Sequence, residues 1–291
     1  MKKTINILLA VLFAIVVSSC VKEQYGTVPG ADTNASVRVY TSAPSLPYDA
    51  DSDVNVRLAA NSAAKDVYFF YETKAQKEAR NLVEEAYADY VVANGTKVTA
   101  SLLEFDGSSI YETTLEGLKG DNVLSAVAVN ANGEKTISST SFFGIEWEDI
   151  VSGTYISQAT SAIILRNLPG KEMPTVLQQR KDQPSTYRLR NVFGAGMHLI
   201  INAIAQSGED ADGKYQFLRI PAQNPGMVDA SYGVIGVRDI GYWQGDDGYI
   251  TEGGFESGMY EDGSCFFIYQ WFVSAGNLGY NWYDFFVPDA E

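Results

Sequence analysis

Apolar and polar residues alternate with a period of two along most of this chain. Val37 and Val39 alternate with Arg38 and Tyr40, and Val54, Val56 and Leu58 with Asn55 and Arg57. Val67, Phe69 and Tyr71 continue the pattern. That period turns one face of a strand to a core and the other to water. It resumes over 97–104, 110–115, 123–130 and 135–142, separated by Asp106-Gly107 and Asn132-Gly133, dipeptides suited to tight hairpins. Seven such strands predict an immunoglobulin-like sandwich over 35–146.

One segment departs from alternation. Ala75, Ala79, Leu82, Ala86, Tyr87 and Tyr90 recur at helical spacing, with charged residues opposite. Thr73 and Gln76 have capping-box spacing, and Asn94-Gly95 supplies a stop. The spacing predicts one amphipathic helix over 74–93, inserted in the sandwich and covering an open sheet face.

From Trp147 onward no helical pattern stands out. Candidate strands lie at 154–159, 175–180, 186–191, 198–203, 215–220, 232–237, 249–252, 264–273 and 283–287. Short strands divided by Asp-Gly turns predict a second β-sandwich or a β-barrel over 147–291. The stretch 264–273 is apolar on both faces, as a central strand is. The fold class is therefore all-β. Gly144 to Asp149, with Trp147 in it, reads as a joint across which the two parts touch.

The amino terminus has different chemistry. Met1-Lys2-Lys3 precedes an unbroken apolar run from Ile7 to Val17, then Ser18-Ser19-Cys20. The run is too short to span a bilayer as a helix. It reads as a lipoprotein export signal over 1–19, removed to leave Cys20 as the lipid-bearing residue. Residues 20–34 are rich in turn formers and predict a flexible tether. The implied address is the outer membrane, lipid-anchored and exposed at the cell surface.

Charge and inventory narrow the function. The formal charge of −15 disfavours nucleic acid as a partner. With Cys20 lipidated, Cys265 has no partner, so no disulfide is expected and a buried thiol is. The one histidine, His198, lies in an apolar strand, and there is no Gly-x-Ser-x-Gly elbow for a nucleophile. One histidine and one free cysteine make a poor zinc shell. Asp49, Asp51 and Asp53 open like a calcium loop, but Val54 and Ala60 stand where Gly and Glu are required. A looser calcium site there, or at Glu209-Asp210-Ala211-Asp212, stays open, with solvated acidic turns the common outcome. No catalytic residue, metal or cofactor is assigned. Glu252, Glu256, Glu261, Asp246 and Asp247 cluster along the chain, which leaves a carboxylate-based glycan hydrolase as a minor alternative.

Aromatic residues give the strongest site signal. Tyr242, Trp243, Gln244, Asp246 and Asp247 lie in a Gly-rich stretch, and Tyr280, Asn281 and Trp282 repeat the mixture. Aromatic faces can stack on the C–H faces of sugars while amides and carboxylates meet their hydroxyls. Against this, Trp243 and Trp282 could cap the ends of a core.

Two resemblances add to this reading. Leu115-Glu116-Gly117-Leu118 and the run Ala126 to Gly133 resemble the late strands of a fibronectin type III domain, with Asn122 at the position of that family's corner tyrosine. The whole layout resembles lipoproteins of gut Bacteroidetes that carry an immunoglobulin-like domain and then a β-rich domain. The residues concerned are Val17 to Cys20, Tyr48 to Asp51, Ala88 to Val91 with Asn94-Gly95, and Tyr187-Arg188-Leu189 with Asn191. There Pro-Tyr-Gly usually follows; here it is Val192-Phe193-Gly194. The resemblance implies a surface address and the handling of host or dietary glycans. The expected function is thus non-enzymatic binding of a glycan or glycoconjugate. The alternative is a structural or adhesive subunit that binds protein.

Overall fold

The computed structural model describes residues 34–104, 107–239 and 254–290. The amino-terminal strands are β1 (Val37–Ser42), β2 (Val54–Ala60), β3 (Asp66–Thr73), β4 (Thr96–Val98), β5 (Leu102–Leu103), β6 (Ser109–Leu115), β7 (Gly120–Val129) and β8 (Lys135–Gly144). They form two sheets, β1-β2-β6-β5 and β4-β3-β7-β8. That division of strands is the one found in immunoglobulin-type sandwiches. Val54, Val56 and Leu58 meet Phe69, Leu124, Ala126 and Ala128 in the core between them. Asn122, at the position of the corner tyrosine, makes its own closure: its amide donates to the carbonyls of Lys119 at 3.1 Å and Gly120 at 2.8 Å.

The single helix expected over 74–93 is two helices, α1 (Lys74–Arg80) and α2 (Glu84–Asn94). The capping box of Thr73 and Gln76 starts α1, and Gly95 caps α2. Asn81 breaks the run by entering the left-handed region at φ 48°. Asparagine tolerates that region better than most residues. Leu82 and Val83 are left exposed in the break, while Tyr87, Ala88 and Val91 of α2 pack on Val127. Beneath them the Tyr87 hydroxyl donates to Glu72 at 2.9 Å, and Arg80 of α1 reaches the same carboxylate at 2.9 Å. The break thus lets both helices converge on one buried acid.

The remaining elements are β9 (Trp147–Ile156), α3 (Ala162–Asn167), β10 (Glu172–Arg180), β11 (Thr186–Gly194), β12 (Met197–Glu209), β13 (Lys214–Arg219), β14 (Val228–Asp229), β15 (Gly233–Val234), β16 (Gly236–Arg238), β17 (Ser257–Tyr260), β18 (Cys265–Val273) and β19 (Gly276–Pro288). Strands β9, β10, β11, β12, β13, β17, β18 and β19 pair antiparallel in turn. Strand β19 then pairs with β9, Phe286 against Tyr155. The result is a closed, eight-stranded, up-and-down barrel, and closure removes the exposed edges of an open sheet. The helix α3, absent from the sequence reading, follows β9 and buries only Ile164; so short an element leaves little periodicity to read.

Strand β18 is buried on both faces, as its double apolar pattern required. Phe267, Tyr269 and Trp271 point to the main core with Tyr155 and Phe193. Phe193 and Tyr269 meet Trp271 edge-on at centroid distances of 5.3 and 5.2 Å. Among these rings lies Asp284 of β19, fully buried. It accepts hydrogen bonds from the hydroxyls of Tyr155 and Tyr269 and from the backbone N–H of Gln158. Burial, then the neighbouring Tyr269 and Asp284, pushes the Tyr155 hydroxyl well above the ordinary tyrosine range.

The sandwich and barrel meet through the β1–β2 loop. Arg188 of β11 is paired with Asp49 at 2.9 Å and Asp51 at 2.8 Å. Its guanidinium lies 4.5 Å from the ring centre of Trp147, whose indole N–H donates to Asp51 at 3.0 Å. Gln178 accepts a further bond from Arg188 at 2.7 Å. Among the described residues no helix is long and apolar enough to cross a membrane.

Candidate functional site

The outer wall of the barrel over β13, β17, β18 and β19 is aromatic. Strand register explains why. Phe217 pairs with Gly258, Gly258 with Phe266, and Phe266 with Phe285, so these positions form one row across four strands. Tyr215 pairs with Tyr260 in a parallel row. Side chains at these parities point away from the core that holds Phe267 and Phe286.

The rings touch. Tyr215 lies 5.0 Å from Phe266 and 5.7 Å from Tyr260, and Phe266 lies 6.0 Å from Tyr283. Tyr283 and Phe285 are near-parallel, 18° between planes and 6.5 Å between centroids. They carry the open end of the strip, 45% and 38% exposed, whereas Tyr215 and Phe266 are buried. Gly258 makes the inner end possible. A Cβ there would stand 2.5 Å from the Phe266 ring and 2.6 Å from that of Tyr215, so only glycine leaves room for both rings over the strand.

A bulge aims the exposed pair. Between Phe267 and Tyr269 of β18 the partner strand advances from Asp284 to Asn281, one residue too many. The extra residue is absorbed at Tyr283, which takes φ 53°. A bulky residue in the left-handed region is strained by about 1–3 kcal/mol. The bulge sets Asp284 into the barrel and Tyr283 onto its surface.

Acceptors border the strip. The Tyr260 hydroxyl donates to Asp210 Oδ2 at 2.7 Å, and the N–H groups of Asp212 and Gly213 donate to Asp210 Oδ1. The bond from Tyr260 comes first among the causes that hold the Asp210 carboxyl below its ordinary range. Burial, then the contact with Asp210, pushes the Tyr260 hydroxyl up. The Tyr215 hydroxyl donates to Glu256 Oε1 at 3.3 Å, and Glu256 Oε2 is buried without a partner among the described residues. Aromatic faces beside hydroxyls and carboxylates can stack on a ring and accept from its substituents.

The residues named from sequence are placed differently. Tyr242, Trp243, Gln244, Asp246 and Asp247 lie outside the described residues, as do the signal 1–19, Cys20 and the tether up to residue 33. Tyr280, Asn281 and Trp282 lie within β19, so 279–284 is bulged strand rather than loop; their side chains are outside the description. Tyr283 and Phe285, one and three residues further on from Trp282 in the same strand, supply the exposed rings. Their neighbours Tyr215, Tyr260 and Phe266 were missed. The available signal was β18 itself: aromatics at both parities cannot all face one core.

The other candidate chemistry has structural partners. The backbone N–H of Asn191 donates to His198 Nδ1 at 2.9 Å, and His198 Nε2 lies 3.3 Å from Asp49. The imidazole thus sits beside the joint. Asp49 and Asp51 of the calcium-like loop pair with Arg188, and Asp53 accepts from the N–H groups of Asp49 and Gly117. Among the described residues no group of three or more His, Cys, Asp or Glu is placed to hold a metal ion. Cys265 is buried, which pushes its thiol far above the ordinary range. A concavity of about 590 Å³ lies on the outer face of β1, β2 and β6, but Arg57 there faces Glu112, and Thr114 donates to Asn55. Its polar groups answer one another, and Tyr40 is its single aromatic; the barrel strip is the better-equipped surface.

No family model, curated protein or solved structure matches the chain.

Proposed function

We propose that this chain is an outer-membrane lipoprotein, anchored through lipid on Cys20, that binds glycans at the cell surface without turning them over. The contact surface we propose is the outer aromatic strip of the barrel, together with the sequence-named Tyr242, Trp243, Gln244, Asp246, Asp247, Tyr280, Asn281 and Trp282. One observation carries the reading: Tyr283 and Phe285 are exposed, near-parallel and bordered by a ring system that ends at the Asp210 and Glu256 carboxylates. Strain at Tyr283 supports it, because strained backbone gathers at binding surfaces.

The test is a glycan array probed with the chain from residue 21 onward, beside Phe285→Ala and Trp243→Ala. Binding lost in both variants fits the reading; binding untouched by both removes this surface. The anchor is tested separately: Cys20→Ala should leave the membrane fraction.

A second reading, binding of a protein partner, rests on a different feature. The β14–β15 hairpin pairs Val228 with Val234 and exposes both, together with Tyr232. Asp229 beneath it is held by Arg166 and Asn167 of α3, so these apolar groups are displayed on a fixed support. Val228→Asp should abolish adhesion and spare glycan binding if that hairpin is the contact.

A further inference from the structure

We infer that the glycans taken by this strip are neutral or aminated hexose chains, and that uronic and sialic acid chains are turned away. The inference rests on the proposed glycan reading of the same surface.

The rim of the strip is acidic where it is described. Asp210 and Asp212 occupy the β12–β13 turn and are exposed, and Glu209 precedes them. The one cation of that turn, Lys214, is in register with Glu209 across the ladder, which leaves Asp210 and Asp212 as its surplus charge. Asp210 is tied to the strip by the Tyr260 hydroxyl, and Glu256 by that of Tyr215. A carboxylate accepts hydrogen bonds and donates none. Sugar hydroxyls and ammonium groups can give it protons to share, and a second carboxylate cannot. The chain's formal charge of −15 adds a long-range field of the same sign.

Geometry fits linear chains with flat faces. Tyr283 and Phe285 present parallel rings 6.5 Å apart. Both side chains are exposed on the outer wall of the barrel, where a ligand laid across the strip would bring its substituents to the turn.

Calorimetric titration of the chain from residue 21 onward with three hexamers tests this: a glucosamine hexamer, a neutral glucose or mannose hexamer and a galacturonate hexamer. At low salt the galacturonate should bind at least about tenfold more weakly than the neutral hexamer, and that gap should shrink at high salt as charges are screened. Asp210→Asn, which removes a charge from the turn and keeps an acceptor, should weaken the glucosamine hexamer about threefold more than it weakens the neutral one. If galacturonate binds as tightly as the neutral hexamer while Phe285→Ala still abolishes binding, the charge selection is wrong and the site stands. If Phe285→Ala and Tyr283→Asn leave every affinity unchanged, or no hexamer binds, the glycan reading of this strip falls and the selection with it.

Discussion

The guanidinium of Arg188 lies 2.9 Å from the Asp49 carboxylate and joins a barrel strand to a loop of the sandwich. The pair is part of a closed set that includes Asp51, Trp147 and Gln178. The Arg188 side chain is only 4% exposed, so its charge depends on these partners. Removing one member of a buried, hydrogen-bonded pair costs about 3–5 kcal/mol, and the partial exposure of the acids puts Arg188→Ala nearer about 2–3. Chemical denaturation should register that loss, and limited proteolysis should begin cutting near Gly144 to Trp147.

Acid should act on the same joint. Burial opposes the charge on Asp49, but hydrogen bonds from His198 and Arg188 outweigh it and hold the carboxyl far below its usual range. A depressed folded value means that the stabilisation is present in full above the unfolded value of about 4 and is lost as pH falls through the folded one. Asp49→Asn should therefore lower stability at neutral pH and flatten its decline in acid. Urea midpoints measured from pH 7 downward check both.

Alkali should act on the barrel. The raised Tyr155 hydroxyl favours the folded state below the unfolded value of about 10, and that advantage falls as pH rises beyond it. Tyr155→Phe should shrink the alkaline decline while costing stability at pH 7, because Asp284 loses a donor. Melting curves at pH 7 and pH 11 for both proteins decide it.

Cys265 offers a probe of integrity. It is buried on β18 and its thiol is pushed up by burial first and by Asp262 next. A thiol reagent near pH 8 should not label the folded chain from residue 21 onward, and should label one thiol on unfolding. Rapid labelling of native protein would mean that β18 opens.

Particular residues show how far the sequence could be read. Val54, Val56 and Leu58 announced an inward face, and the face is there because a period of two has no other way to bury them. The double apolar parity of 264–273 announced a strand buried on both faces, and β18 over Cys265–Val273 is one. Asn81 gave no such warning: on a helical wheel it is one more polar position, and its left-handed turn shows only where Arg80 and Tyr87, on either side of the break, meet the same Glu72. Strand β17 was hidden because Ser257-Gly258-Met259-Tyr260 lacks alternating bulk, and Gly258 is small so that rings from β13 and β18 can lie on it. The site suffered the same fate. Nothing local separates Phe285 from Phe286; only the bulge and the barrel's closure send one out and the other in.

Tyr283 separates function from stability. Its φ of 53° is costly for a tyrosine and tolerable for asparagine. Tyr283→Asn relieves part of that strain but gives up ring contacts with Phe266 and Phe285. These effects oppose each other, and each is about 1 kcal/mol. Stability should therefore stay within about 1 kcal/mol of the parent. Loss of an exposed stacking face should weaken glycan binding at least about tenfold, the equivalent of about 1.4 kcal/mol. Equilibrium denaturation and calorimetric titration on one preparation give both numbers. A variant much less stable than its parent would mark Tyr283 as a structural prop, and unchanged affinity would take it out of the contact surface.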